Sequence, residues 1–267
     1  MRKMTVLAAV LALSVLPALG ALAQSAEGEV IVVHGVPDLD VDVYVNGDLT
    51  LEGFQFGDVA GPLALPEGSY DIAIFAAGAD PAADSPALEG SADLPAGAVA
   101  TIAAYLEEGG APTLGVFVEN NSEIDAGNAR VTARHLADFG AVDVLANDSP
   151  AFEGVTNGQG ADVDVPADTY NIKITAAGDA ETVAFDADVP LAEGTNTIAY
   201  AIGSVEGGSF EVVTASITGL GATPAGVPTG TGGLAADGNS LVLPIALAGL
   251  ALVGVAAGSL VVARRED

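Results

Sequence analysis

The chain carries one sequence pattern twice, in two consecutive stretches. When His34 is placed over His135, Val41-Asp42-Val43 falls over Val142-Asp143-Val144 without a gap. After the second stretch is shortened by one residue, residues 65–72 fall over 165–172 and residues 76–78 over 176–178. Further on, Thr101-Ile102-Ala103 resembles Thr197-Ile198-Ala199. Such self-similarity is typical of a tandem array of one folded unit. We therefore predict two copies of a single module.

Within each copy, apolar and polar residues alternate over short runs, such as Asp71-Ile72-Ala73-Ile74-Phe75 and residues 183–189. Alternation of period two indicates β-strands, and turn residues such as Asn46-Gly47 and Asn157-Gly158 separate the runs. With 34 Gly, 14 Pro and only 5% aromatic residues, turns are expected to be frequent. The pattern predicts an all-β chain with two tandem antiparallel β-sandwich modules, immunoglobulin-like or transthyretin-like, of about seven strands each.

The modules are predicted at residues 28–120 (module 1) and 127–218 (module 2). Each copy has its own set of strands, so each is expected to have its own core and to fold independently. Because only residues 120–127 connect them, a rod-like pair is expected.

The N-terminal residues have the three parts of a secretory signal peptide. Arg2 and Lys3 precede an apolar run to Leu22, and Ala21-Leu22-Ala23 provides a small-residue cleavage site. We expect residues 1–23 to be removed by cleavage after Ala23; the alternative is a first membrane anchor.

A second apolar stretch, Leu241 to Ala263, is long enough to cross a bilayer as a helix and is followed by Arg264-Arg265. Basic residues stay in the cytoplasm, so residues 264–267 are predicted to be a cytoplasmic tail and the modules to lie outside the cell membrane, in a single-pass topology. Residues 219–240 are rich in Gly, Pro and Thr and are predicted to be a flexible stalk. Two alternatives stay open here: sortase-like cleavage near Val227–Gly230, and helix pairing through Gly254 and Gly258.

Charge is distributed very unevenly. Of the 36 acids, 34 lie between the two apolar segments, where Arg130, Arg134 and Lys173 are the three bases, giving a formal charge of −31. This field repels nucleic acid, which excludes that class of partner, and it favours diffuse cation binding. The chain has no Cys, which also excludes disulfides and thiolate chemistry.

Two features suggest possible metal chemistry, and each also has a plainer interpretation. His34 and His135 are the only histidines, and a single His per module is more often a hydrogen-bonded structural residue than a ligand or base. Asp38, Asp40 and Asp42 can supply oxygens to Ca²⁺, but their spacing favours a solvated acidic stripe on one face of a strand. Asp186 and Asp188 are interpreted in the same way.

The sequence contains no nucleophile elbow, metalloprotease helix motif, phosphate-binding loop or dinucleotide fingerprint. We therefore expect no enzyme activity, no catalytic, cofactor or metal site, and no cofactor. The expected function is a membrane-anchored, acidic cell-surface protein with a binding or structural role, whose partner is an envelope polymer or a protein. The alternatives are a cell-envelope hydrolase using paired carboxylates, or an accessory or sensor subunit of a membrane complex.

Residues 30–47, which read VIVVHGVPDLDVDVYVNG, resemble the opening of the bacterial extracytoplasmic family called domain of unknown function 4397. The matching positions are His34, Pro37, Asp38, Val41, Asp42, Val43, Tyr44, Val45 and Gly47. The second copy keeps His135 and residues 142–144 but has Leu136-Ala137-Asp138 where the family has a Ser-Pro-Asp turn. The resemblance implies tandem surface β-sandwich modules and supplies no activity.

Overall fold

A computed structural model describes residues 27–222, which form sixteen β-strands. The predictions for residues 1–23, for the stalk beyond residue 222, for the membrane helix and for the tail lie outside the described residues. Within residues 27–222, no helix has the length and apolar character needed to cross a membrane.

Module 1 contains β1 (Glu27–His34), β2 (Val41–Val45), β3 (Asp48–Phe54), β4 (Val59–Pro66), β5 (Gly68–Ala76), β6 (Leu88–Leu94), β7 (Val99–Leu106) and β8 (Pro112–Glu119). Module 2 contains β9 (Asn128–His135), β10 (Val142–Ala146), β11 (Ser149–Val155), β12 (Gln159–Pro166), β13 (Thr169–Ala176), β14 (Asp179–Pro190), β15 (Asn196–Ile202) and β16 (Glu211–Ile217).

Each module consists of two four-stranded sheets, so the all-β prediction is confirmed. The sheet orders are β4-β1-β7-β8 and β3-β2-β5-β6 in module 1, and β12-β9-β15-β16 and β11-β10-β13-β14 in module 2. The second set repeats the first strand for strand. Two details differ from the prediction: each module has eight strands, and β1 pairs with β7, as β9 does with β15, in parallel. The modules are therefore mixed rather than purely antiparallel sandwiches.

Strand register explains the one-residue gap in the repeat. Opposite β1, strand β4 has an irregularity between the pairs Val30↔Leu63 and Val32↔Ala60, so β4 carries one extra residue there. The corresponding pair, β9 with β12, runs without interruption. The residue missing from the second copy is thus the bulge residue of β4.

The overlay of Thr101 on Thr197 is wrong by one position. In module 1, Ile31 pairs with Thr101, and in module 2 its equivalent Thr132 pairs with Ile198. Thr101 therefore corresponds to Ile198, not to Thr197. Because successive side chains of a strand point to opposite faces, this single step exchanges the two faces of the strand.

Module 1 and module 2 each have an internal core, and a third core lies between them. Val30, Ile102 and Ile72 pack inside module 1, while Val144 and Ile172 pack inside module 2. The third cluster joins residues of both modules: Ile31, Val33, Val99, Ala103 and Tyr105 with Leu136, Ile198, Tyr200, Ile202, Ala215 and Ile217. The expected rod of two independent modules is therefore wrong, because sheet β4-β1-β7-β8 packs on sheet β12-β9-β15-β16.

Strand β7 shows why its sheet is covered on both faces. All eight of its residues are buried, with Ile102 and Ala104 toward the module 1 core and Ala103 and Tyr105 toward module 2. A strand buried on both faces has a nearly continuous apolar sequence, as VATIAAYL does.

The segment between the modules is part of the fold rather than a free linker. Ile124 is fully buried; its N–H donates to Leu220 O at 2.8 Å, and its carbonyl accepts the Ala222 N–H at 2.8 Å. Leu220 also packs on the core between the modules. The predicted stalk thus does not begin at Gly219, since residues 219–222 are held against the body.

Candidate functional site

The two histidines occupy equivalent positions at the ends of β1 and β9. Nε2 of His34 lies 2.6 Å from Leu39 O, and Nε2 of His135 lies 3.1 Å from Phe139 O and 3.0 Å from Gly140 O. Carbonyls only accept, so Nε2 is the protonated nitrogen in both rings. The other nitrogen, Nδ1, is buried and has no partner among the described residues. Burial lowers the pKa of both imidazoles, which keeps them neutral and suits them to fix the turn after each strand.

Asp38, Asp40 and Asp42 do not form one acidic stripe. Asp38 is exposed in a turn with φ of 61°, and Asp40 is exposed and accepts from Gln55 Nε2 at 3.3 Å. Only Asp42 lies on a strand, and it is buried. The prediction of a solvated stripe is therefore wrong for Asp42.

The Asp42 carboxylate connects strand β3 to the turn that follows β5. Its two oxygens accept the N–H groups of Gly53 at 2.7 Å and Gly78 at 2.8 Å. The equivalent Asp143 accepts from the N–H groups of Gly154 at 2.7 Å and Gly178 at 2.9 Å. The bond from Gly178, then that from Gly154, lowers the Asp143 pKa.

The carboxylates of Asp42 and Asp143 therefore serve the fold, each by accepting two backbone hydrogen bonds. Asp186 and Asp188 on β14 share a single donor, Nδ2 of Asn171, at 2.8 and 3.3 Å. Across residues 27–222, no group of three or more His, Asp or Glu side chains is placed to hold a metal ion.

The junction between the modules contains a buried pair of hydroxyl groups that no sequence pattern predicts. Thr101 Oγ1 and Tyr200 Oη are 2.7 Å apart, and both side chains are buried. Burial raises the Tyr200 pKa well above its usual value, so its proton is held for hydrogen bonding at all ordinary pH values.

Next to that pair, an ion pair crosses from one module to the other. Arg134 Nη2 donates to Glu119 Oε2 at 2.7 Å; the Glu119 side chain is 0% exposed and that of Arg134 is 11% exposed. The guanidinium carbon also lies 4.6 Å from the centre of the Phe117 ring. Glu119 Oε1 and Arg134 Nε are buried and have no partner among the described residues. The cost of burying these groups thus offsets part of the attraction between the two charges.

The second arginine holds the segment between the modules. Arg130 donates to both carboxylate oxygens of Asp164, at 2.6 and 2.9 Å, and its Nη1 donates to Ser122 O at 3.1 Å. Further polar contacts join the modules at Asn157 Nδ2 to Leu106 O, at Gly109 N–H to Asp138, and at Asn196 Nδ2 to Asn120 O. The junction is thus fixed by directional bonds as well as by apolar packing.

Lys173, the last base of the described part of the chain, donates to Asp148 at 2.5 Å. All three bases of residues 27–222 are therefore engaged with carboxylates. The surface of this part of the chain therefore presents acids in excess of bases.

Each module also encloses an apolar cavity of about 100 Å³ between its two sheets. The cavities share equivalent lining residues: Val30, Val32, Val43, Tyr70 and Ile72 in module 1, and Val131, Ala133, Val144, Tyr170 and Ile172 in module 2.

The comparisons with known proteins point to one family. Residues 28–144 match the family model described as "Domain of unknown function (DUF4397)", which spans module 1 and continues to Val144 in β10. No curated protein matches this chain. The match over residues 28–144 thus supports the resemblance to this family that the residues around His34 indicate.

Proposed function

We propose that this chain is a non-catalytic cell-surface protein that presents a rigid, acidic, two-module body outside the membrane and acts by binding or as a structural element. In this proposal residues 1–23 are a cleaved signal peptide, residues 241–263 form a single membrane span and residues 264–267 stay in the cytoplasm. The basic pair Arg2-Lys3 before the first apolar run and the pair Arg264-Arg265 after the second support this topology.

The observation that carries the binding role is the engagement of every base of residues 27–222 with a carboxylate. A body of this kind meets its surroundings almost entirely through acids and uncharged residues. Basic segments of envelope proteins or cationic groups of envelope polymers are the chemistry that such a surface attracts.

We further propose that module 2 is a second copy of the family module, although the family match, residues 28–144, covers only its first part. Identical strand order, the paired positions of His34 and His135, and the same double use of Asp42 and Asp143 support this.

The topology is tested by adding protease to intact, wall-stripped cells. Cleavage is expected within residues 223–240, releasing the modules and leaving the C-terminal tail protected. Permeabilised cells are the control, in which the tail is also degraded. Modules that resist release in intact cells, and are released only after permeabilisation, would refute the outward topology.

The binding role is tested by crosslinking neighbours to the modules in intact cells. A variant with exposed acids neutralised, Glu52→Gln, Glu67→Gln, Glu89→Gln and Glu153→Gln, is expected to capture less of the same neighbours because attraction is reduced. Its melting temperature serves as the control for folding. Capture of no neighbour by the wild type would contradict the binding role.

A further inference from the structure

Strand β8 (Pro112–Glu119) forms one edge of the sheet β4-β1-β7-β8. Among the described residues it pairs only with β7, from Val99↔Glu119 to Leu106↔Pro112. No charged residue occurs from Pro112 to Val118, and two valines of this stretch face solvent: Val118 is 68% exposed and Val116 39%. An edge strand presents a row of unpaired N–H and C=O groups on which another strand can pair.

The other edge strands carry the features that block such pairing. They contain acids, prolines or bulges, or they present polar side chains outward: Asp48 and Glu52 in β3, Pro62 in β4, Glu89 and Asp93 in β6, Pro150 in β11, Asp162 and Asp164 in β12, Asp186 and Asp188 in β14, and Thr214 and Ser216 in β16. Charged residues, proline and bulges are the usual protection of a sheet edge. Strand β8 has a proline and an acid only at its two ends: Pro112 is its first residue, and Glu119, its last, is buried and paired with Arg134. Residues 113–118 between them contain no charge, no proline and no bulge.

The two faces of β8 are anchored, so its edge is held in place. Phe117 packs against Tyr105, with ring centres 6.1 Å apart, and the Arg134 guanidinium lies over the Phe117 ring. On the opposite face Leu114 joins the module 1 core and lies against β6, where a Cβ on Gly90 would be only 3.0 Å from Leu114 Cδ2. A preorganised template loses little entropy when a strand is added to it.

We propose that the open edge of β8 is a strand-addition site for an extended segment of another protein, with alternating apolar side chains and basic residues at its ends. Backbone hydrogen bonds to the edge would supply affinity, and Val116 and Val118 would contact the apolar side chains of the added strand. The proposal rests on the binding role proposed above and names the class of partner.

Charge selects this partner over a second copy of the chain. Residues 27–120 contain 17 acids and neither Lys nor Arg. Glu107 and Glu108 lie in the turn that leads into β8, and Glu89 and Asp93 lie on the adjacent β6. Pairing of β8 with a second β8 would bring two such fields together, whereas lysines at the ends of a partner segment would be attracted.

The test uses the full chain in mild detergent and a fluorescent synthetic peptide of alternating Val and Thr with lysines at both ends. Binding measured by anisotropy is expected for the wild type, and Val118→Lys is expected to weaken it by about tenfold or more, equivalent to about 1.4 kcal/mol. Ser216→Lys adds the same charge to the exposed edge strand β16 and is the matched control, expected to leave binding within about twofold of the wild type. A peptide with glutamates at both ends is expected to bind much more weakly.

Equal binding to the wild type and to Val118→Lys would overturn the proposal, as would equal binding of the glutamate-ended peptide. A wild type that dimerises at rising concentration, while Val118→Lys stays monomeric, would assign the edge to a second copy and overturn it as well. If the wild type does not bind the peptide but still crosslinks to envelope neighbours, only the β8 site is refuted. Absence of crosslinked neighbours with peptide binding intact refutes the proposed function instead.

Discussion

Separating module 2 from module 1 should prevent it from folding as a soluble monomer. A fragment of residues 127–222 would expose side chains that the other module covers in the intact chain: Leu136, Ile198, Tyr200, Ile202 and Ile217, all at most 3% exposed. Covering a large apolar side chain stabilises a protein by about 1.5–3 kcal/mol, so five of them account for roughly 8–15 kcal/mol. A whole domain of this size is stable by only about 5–15 kcal/mol. The fragment therefore loses an amount comparable to its entire stability.

The assay is thermal unfolding and amide NMR of the fragment, with light scattering to measure its mass. We expect aggregation or poorly dispersed amide signals for residues 127–222 alone, and recovery of dispersed signals when residues 24–126 are added. A monomeric fragment with a cooperative transition, unaffected by the other half, would refute the shared core.

Three further predictions concern the intact chain. Because burial lowers the pKa of His34 and His135 below the ordinary 6.5, the unfolded state binds more protons than the folded state just below that pH. The stability that the neutral histidines contribute should therefore be fully present above about pH 6.5 and decrease as the pH falls below it. His34→Gln combined with His135→Gln should flatten this slope in pH-dependent denaturation curves. Tyr200→Phe leaves the buried Thr101 hydroxyl without its partner and should cost about 1–3 kcal/mol in urea titrations. The melting temperature should rise smoothly with NaCl between about 10 mM and 1 M, as the Debye length shrinks from about 30 to 3 Å; a rise caused instead by submillimolar Ca²⁺ at constant ionic strength would indicate a specific site.

The strand pattern of each module could be predicted because alternation and turn residues are local signals. The equivalence of His34 and His135 could be predicted as well, since the residues that follow them match without a gap. The register of β15 could not. Thr101-Ile102-Ala103 and Thr197-Ile198-Ala199 are alike as letters, but the pairing with β1 and β9 shows a one-residue offset. A strand with apolar residues on both faces reads almost the same in either register, so identity of letters cannot fix which face is which.

The packing of the two modules on each other could not be predicted either, because the sequence of β9 favours a different structure. On β9, Arg130, Thr132 and Arg134 occupy alternate positions and so share one face, which is the pattern of a strand with a solvated face. In the structure that face is turned toward the other module, and the three side chains are engaged by Asp164, Asn196 and Glu119. The nearly continuous apolar sequence of β7 indicates the opposite, because a strand in a sheet with one solvated face is expected to alternate between apolar and polar residues.

Electrostatics explains why the two arginines of residues 27–222 both lie at this junction. Residues 27–120 carry 17 acids and no base, and residues 121–222 carry 16 acids and three bases, so two strongly negative bodies are packed face to face. Their mutual repulsion opposes docking. Arg134 places a positive charge against Glu119 of module 1, and Arg130 places another beside the connecting segment. Lysine would give a point charge only, whereas guanidinium groups provide the several fixed donors that these contacts use. Two of the three bases of residues 27–222 are thus used at the junction, which leaves the outer surface with an excess of negative charge.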